Sequence, residues 1–135
     1  MSGSQNIETI KNVYAAFGRG DADAILAVVT DDVDWGSETA STGAPWYGVR
    51  KGKKAVGAFF DDLGKSTEVD EFTPLTFGSN DDGDVFTIVK YRVRSRDTGQ
   101  VASMQLHHWF RFTNGKISYY RGSEDTATMV EAFTR

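Results

Sequence analysis

Four polar side chains between Met104 and Asp125 carry the chemistry this sequence offers: His108, Arg121, Ser123 and Asp125. A neutral imidazole can donate to a developing enolate oxygen or relay a proton. A guanidinium, which cannot shed its charge, holds a carboxylate or an anionic ligand group. A carboxylate in apolar surroundings has its pKa raised, which suits proton abstraction near neutral pH. A hairpin would bring these groups together. Asn114-Gly115 separates the alternating runs MQLHHWFRF and ISYYRGSED, and both residues tolerate the positive φ of a type I′ turn. A two-residue loop pairs Thr113 with Lys116 and then Phe112 with Ile117, Phe110 with Tyr119, His108 with Arg121, Leu106 with Ser123 and Met104 with Asp125. These residues share one face, aromatic and apolar beside the turn and polar at its far end, which is the pattern of a pocket wall.

Each candidate has a plainer role beside the chemical one. Asp125 directly precedes TATMVEAF and suits the N-cap of a terminal helix, worth about 1 kcal/mol. His108 is equally an ordinary hydrogen-bonded core histidine. Arg121 and Asp125 are about 13 Å apart along one strand, so a buried Arg121 would need another acid or an anionic ligand group. Arg50, Lys51, Lys53 and Lys54 crowd a helix start, where the dipole disfavours cations. They read as a solvated basic face, with an anion site as the alternative, and Arg92, Arg94 and Arg96 read as a solvated face too.

The remaining composition narrows the function classes. A chain of 135 residues is expected to form one domain, residues 1–135, with residues 1–5 (MSGSQ) a loose end. A net charge of −4 argues against a nucleic-acid partner, which would call for a basic face. With no cysteine there is no disulfide, thiolate nucleophile or cysteine metal site. His107 and His108 are neighbours on a strand, point to opposite faces and cannot ligate one metal together. No metal or organic cofactor is expected. The first twenty residues hold Glu8, Lys11 and Arg19 and no apolar run that would make a signal-peptide core or membrane span. The expected setting is the cytoplasm, with no membrane partner.

The elements that must position the candidates follow from periodicity. Ile7, Ile10, Val13, Tyr14 and Phe17 recur at helical spacing, with Ser4 or Asn6 as cap and Gly18 and Gly20 as stop. Asp21 caps a second helix ending near Thr30, and Val33–Trp35 is a brief strand. A turn-rich loop, GSETASTGAPWYG, holds Trp46 and Tyr47, and a third helix runs over 53–63. Strands over 69–77, 85–96 and 101–112 lead into the hairpin, and 126–133 forms the terminal helix. This order predicts an α+β domain with helices on one face of an antiparallel sheet. A strongly curved sheet wrapped around the first helix would leave a conical cavity. Trp35, Trp46, Tyr47 and Phe60 would line its mouth, Phe110, Tyr119, Ser123, Met104 and Leu106 its wall, and aromatic walls suit flat ligands.

Three stretches, VYAAFGRGDADAILAVVTDDVDW, PWYGVRKGKKAVGAFF and HHWFRFTNGKISYYRGSED, resemble the nuclear transport factor 2-like (NTF2-like) superfamily, in its SnoaL-like and ketosteroid isomerase-like branch. The resemblance runs from Ile7 to Phe133. It implies a cone-shaped α+β barrel that binds a small hydrophobic carbonyl compound and uses cofactor-independent acid–base chemistry: proton transfer, cyclisation or dehydration. By the same resemblance Asp125 is the acid and base, Tyr14 bonds the substrate oxygen, and His108 lies on the concave face. The scaffold also hosts non-catalytic ligand-binding and dimerisation domains. A ketosteroid isomerase mechanism is disfavoured because Ser37 and Glu38 stand at the place of its base and the strands over 85–96 and 101–112 carry no carboxylate. An epoxide hydrolase is disfavoured for want of an acid pair bridged by arginine. On the opposite face His107, Trp109, Arg111 and Tyr120 form an aromatic patch. Relatives pair through this face, so a homodimer is expected.

Overall fold

The computed structural model describes residues 2–135. Helix α1 spans Gly3–Gly18 and opens on a capping box, in which the Ser2 hydroxyl accepts from the Gln5 amide at 3.2 Å and the Gln5 side chain accepts from the Ser2 amide at 3.4 Å. The expected loose end is therefore corrected over residues 2–5, which start the helix; Met1 lies outside the described residues. Asp21 accepts from the Ala24 amide and caps α2, Ala22–Leu26. This helix stops short of Thr30 because Val28 already bonds Ile117 across the sheet at 2.8 Å. Strand β1, Val29–Ser37, is longer than its apolar core suggests, since both of its edges are paired. A short strand β2, Gly48–Lys51, occupies the end of the stretch expected to be loop.

After α3, Lys53–Ser66, come β3 (Thr67–Ser79), β4 (Val85–Ser95), β5 (Val101–Thr113), β6 (Lys116–Ser123) and the terminal helix α4, Thr126–Phe133. The six strands lie in the order β2-β1-β6-β5-β4-β3, antiparallel except where β1 runs parallel to β6. The sheet curves around α1 and α3 but stays open, so the expected α+β cone is present without barrel closure. The edge strand β3 carries Pro74 and two register breaks, devices that blunt an exposed edge. Ile10, Val13, Ile25, Val56, Val89 and Phe110 are among the buried side chains of the core between helices and sheet. Among the described residues no helix is long and apolar enough to cross a membrane.

The hairpin decides what faces the core. Asn114 and Gly115 take φ of 51° and 79°, as the type I′ turn requires, and Thr113 pairs with Lys116 and Phe112 with Ile117. The next pair is Arg111 with Tyr119. Ser118 is thus the extra residue of a β-bulge, its hydroxyl accepting from Thr113 at 3.0 Å. Beyond it the alternation of β6 is reversed relative to a regular ladder. Phe110 pairs with Tyr120 and His108 with Gly122 on the inner face, while Trp109 pairs with Arg121 and His107 with Ser123 on the outer. The expected pairs of Phe110 with Tyr119, His108 with Arg121 and Leu106 with Ser123 are corrected accordingly, and Asp125 lies beyond β6 at the cap of α4. The bulge spares the fold a guanidinium buried in an apolar chamber, a cost several times that of the irregularity.

Candidate functional site

A cavity of about 90 Å³ lies between α1, α3 and the inner face of the sheet. Its wall is largely aromatic. The Trp35 ring centroid lies 4.3 Å from that of Tyr120, which in turn is 5.0 Å from that of Phe110. Trp35 is 3% exposed, and its indole nitrogen is buried without a hydrogen-bond partner. Trp46 closes one side, its ring edge-on to Phe133 of α4 at 5.2 Å.

Two polar groups interrupt this wall. In the first, the Tyr14 hydroxyl lies 2.5 Å from the Thr87 hydroxyl and 2.7 Å from Nδ1 of His108. Burial, with a smaller push from His107, lowers the His108 pKa to about 3, so the imidazole is neutral at physiological pH. One proton assignment uses every donor: Thr87 donates to Tyr14, Tyr14 donates to Nδ1, and the remaining imidazole proton sits on Nε2. His108 is then a neutral hydrogen-bond donor. Burial likewise pushes the Tyr14 hydroxyl above the ordinary phenol range, so it too stays protonated.

The second group is Glu124 with Tyr47. Because Tyr120 and Gly122 face inward after the bulge, Glu124 continues that alternation into the cavity wall. The Tyr47 hydroxyl, carried by the loop between β1 and β2, donates to its Oε2 at 2.8 Å. Burial raises the Glu124 pKa, the Tyr47 bond opposes that rise, and the charge of Asp125 adds to it. Gly122 lies between these groups on β6. A Cβ there would collide with the Tyr120 hydroxyl and stand 3.5 Å from Cδ2 of His108.

Of the residues expected from the sequence, Tyr14, His108, Trp35, Trp46, Phe60, Phe110 and Leu106 line the cavity. Tyr47 reaches it through Glu124. Asp125 does not: its carboxylate is exposed and accepts from the Thr128 amide at 3.0 Å and the Thr128 hydroxyl at 2.7 Å, capping α4. The Thr128 hydroxyl and amide hold its pKa below the usual carboxylate range, the opposite of what a buried base would show. Arg121 is on the outer side, donating to Glu38, paired with Asp34 at 3.0 Å and lying 4.4 Å over the Tyr119 ring. Tyr119 and Ser123 also face away from the cavity, and Met104 packs half-buried at the margin of the core. His107, Trp109 and Arg111 are on the convex face as expected, whereas Tyr120 is buried inside and Tyr119 takes its place. Two residues of the basic cluster at α3 are engaged: Arg50 bonds Asp62 at 3.0 Å and the Pro45 carbonyl at 2.8 Å, and Lys53 pairs with Asp31 at 3.6 Å.

Sequence reasoning missed Glu124 and placed Tyr120 on the opposite face. A signal for Glu124 was present. If Asp125 caps the helix that follows it, its side chain is committed to that helix, and the preceding acid is the one free to turn inward.

An open curved sheet laid over helices, with polar groups gathered in one aromatic chamber, is the architecture of NTF2-like proteins. The structure matches an NTF2-like protein of unknown function from Burkholderia pseudomallei K96243 with a TM-score of 0.89 and 26% identity over 100% of both chains. It matches an NTF2-like protein from Burkholderia xenovorans LB400 with a TM-score of 0.87 and 23% identity over 99% of each chain. TerC, in a structure co-crystallised with polyporic acid, is similar with a TM-score of 0.83 and 22% identity over 97% of this chain and 99% of that one. Residues 10–120 match the SnoaL-like domain, and the chain belongs to that family. No curated protein matches the sequence.

Proposed function

We propose that this SnoaL-like domain binds a small hydrophobic carbonyl compound in the aromatic cavity and catalyses cofactor-independent proton transfer on it, with Glu124 as base. The observation that carries this reading is the presence, in one cavity wall, of a largely buried carboxyl with a raised pKa and a neutral histidine donor. Glu124 takes a proton from the carbon next to the carbonyl. The electron pair moves onto the carbonyl oxygen, which accepts a hydrogen bond from Nε2 of His108, held in that tautomer by Tyr14 and Thr87. Return of the proton from Glu124 to another carbon isomerises the substrate. Expulsion of a β-hydroxyl, which takes the proton back from Glu124 and leaves as water, completes a dehydration, and attack of the enolate carbon on a second carbonyl, whose oxygen takes that proton, completes a cyclisation. The aromatic wall keeps water from the enolate.

Arg121 does bridge two acids, Asp34 and Glu38, but on the outer side of the sheet, where it has no access to a ligand in the cavity. This argues against epoxide opening. TerC, of similar fold, was co-crystallised with polyporic acid, which fits a small-molecule role for this scaffold. The test is deuterium exchange into the methyl group of acetophenone, followed by NMR. Exchange above the buffer rate that disappears in Glu124→Gln, with acetophenone still bound, supports the reading. Bound acetophenone with no exchange in the native protein overturns it in favour of a non-catalytic binding domain.

The same reading includes a homodimer formed through the convex face. Phe86, 42% exposed, stacks on Trp109 with centroids 6.2 Å apart, and Tyr119 meets Trp109 edge-on at 5.1 Å. A second copy would cover this aromatic patch. Light scattering should give a dimer mass for the native chain and a monomer mass for Trp109→Glu; a native monomer overturns the pairing.

A further inference from the structure

Resting on that reading of the cavity, we infer that the site selects uncharged ligands of single-ring size and excludes anions. The charge argument comes from the wall itself. Among the described residues no lysine or arginine lines the cavity, and Glu124 is its one carboxyl group. His108, the group that would offer a positive charge if protonated, is buried against Tyr14 and stays neutral. Arg121, which a regular hairpin would turn inward, spends its charge on Asp34 and Glu38 outside. An anionic ligand would have to shed its water beside Glu124 with no cation to compensate, and desolvating an unpaired charge is strongly unfavourable. A neutral carbonyl compound avoids that cost and meets one donor that wants an acceptor, Nε2 of His108.

The size argument is independent of charge. The cavity, at about 90 Å³, is continuous with a recess of about 40 Å³ that shares Trp46, Leu106, His108, Tyr120 and Glu124 with it, and together they approach the roughly 150 Å³ cavity known to take up benzene, so one ring with a short substituent is the guest they admit with modest adjustment. Its cover is also tied down. Trp46 packs on Phe133, a Cβ at Gly43 would strike the Val130 side chain, and Arg50 holds the Pro45 carbonyl at 2.8 Å. A polycyclic ligand would have to displace this loop from α4 altogether.

Acetophenone and benzoate are nearly isosteric and differ in charge, which makes them the probes. Titrations of the native protein at pH 7.5, read by tryptophan fluorescence and ligand-observed NMR, should show acetophenone binding at least about tenfold more tightly than benzoate. Glu124→Gln should narrow that gap mainly by improving benzoate, and 9-acetylanthracene should not bind. Benzoate binding as well as acetophenone, no binding of acetophenone, or tight binding of 9-acetylanthracene would each overturn the inference. Failure of acetophenone to exchange deuterium, with this selectivity intact, would instead count against the catalytic reading alone.

Discussion

The hydroxyl of Tyr47 donates to Oε2 of Glu124 across 2.8 Å, so the loop that covers the cavity is bonded to the acid inside it. That bond stabilises the ionised carboxylate against a burial that disfavours it. Removing it in Tyr47→Phe should raise the Glu124 pKa further. Because a base works only when ionised, the exchange rate climbs with pH through that pKa, and in the variant the climb should begin at higher pH. A pH–rate profile checks this, with about a tenfold loss expected on the acidic limb and little change on the plateau.

His108 links stability to pH. Its pKa is near 6.5 in the unfolded chain and about 3 in the fold. Between these values the unfolded chain takes up a proton that the native state refuses, so the stability contributed by the neutral imidazole is complete above pH 6.5 and is lost as pH falls towards 3. The loss should reach a few kcal/mol. Urea unfolding from pH 7 to pH 4 should show a steep decline in the native protein and a shallower one in His108→Gln.

Asp125 and Glu124 are adjacent acids in different surroundings, one exposed at a helix cap and one in the cavity wall, and substitution should divide them. Asp125→Ala removes the cap of α4 and should lower the melting temperature with exchange nearly unchanged. Glu124→Gln should abolish exchange while leaving stability level or slightly increased, because a buried group that resists ionisation becomes a neutral amide. Thermal melts and exchange rates on the two variants test both statements.

Gly122 is needed for the space it leaves free. In Gly122→Ala the new methyl runs into the Tyr120 hydroxyl, and the overpacking should cost about 1–3 kcal/mol. Tyr120→Phe removes the oxygen in the way, so the double variant should recover part of that loss. Chemical denaturation of the four members of this cycle measures the coupling.

Local signals made most of the fold legible. The stripe of Ile10, Val13 and Tyr14 marks α1, Asn114-Gly115 marks the turn, and the order of helices and strands leads to an α+β cone. The capping box was also readable, with Ser2 three residues before Gln5, although the small polar residues there suggest a loose end. Strand β2 was not legible, because a short half-exposed edge segment depends for its pairing on β1. The bulge at Ser118 was the decisive gap. Nothing local distinguishes ISYYRG from a regular strand; the irregularity follows from where Arg121 and Tyr120 can best be satisfied, and that is a tertiary balance.

Ser118 therefore works as a shim. Removing that single residue from the hairpin would rotate everything after it by half a pleat, bringing the Arg121 position inside and sending the Glu124 position out, and would turn an acidic chamber into an anion trap without altering one lining residue by substitution. Within this architecture, insertion or deletion beside a tight turn is a route to inverted ligand charge preference as short as any change in the wall itself.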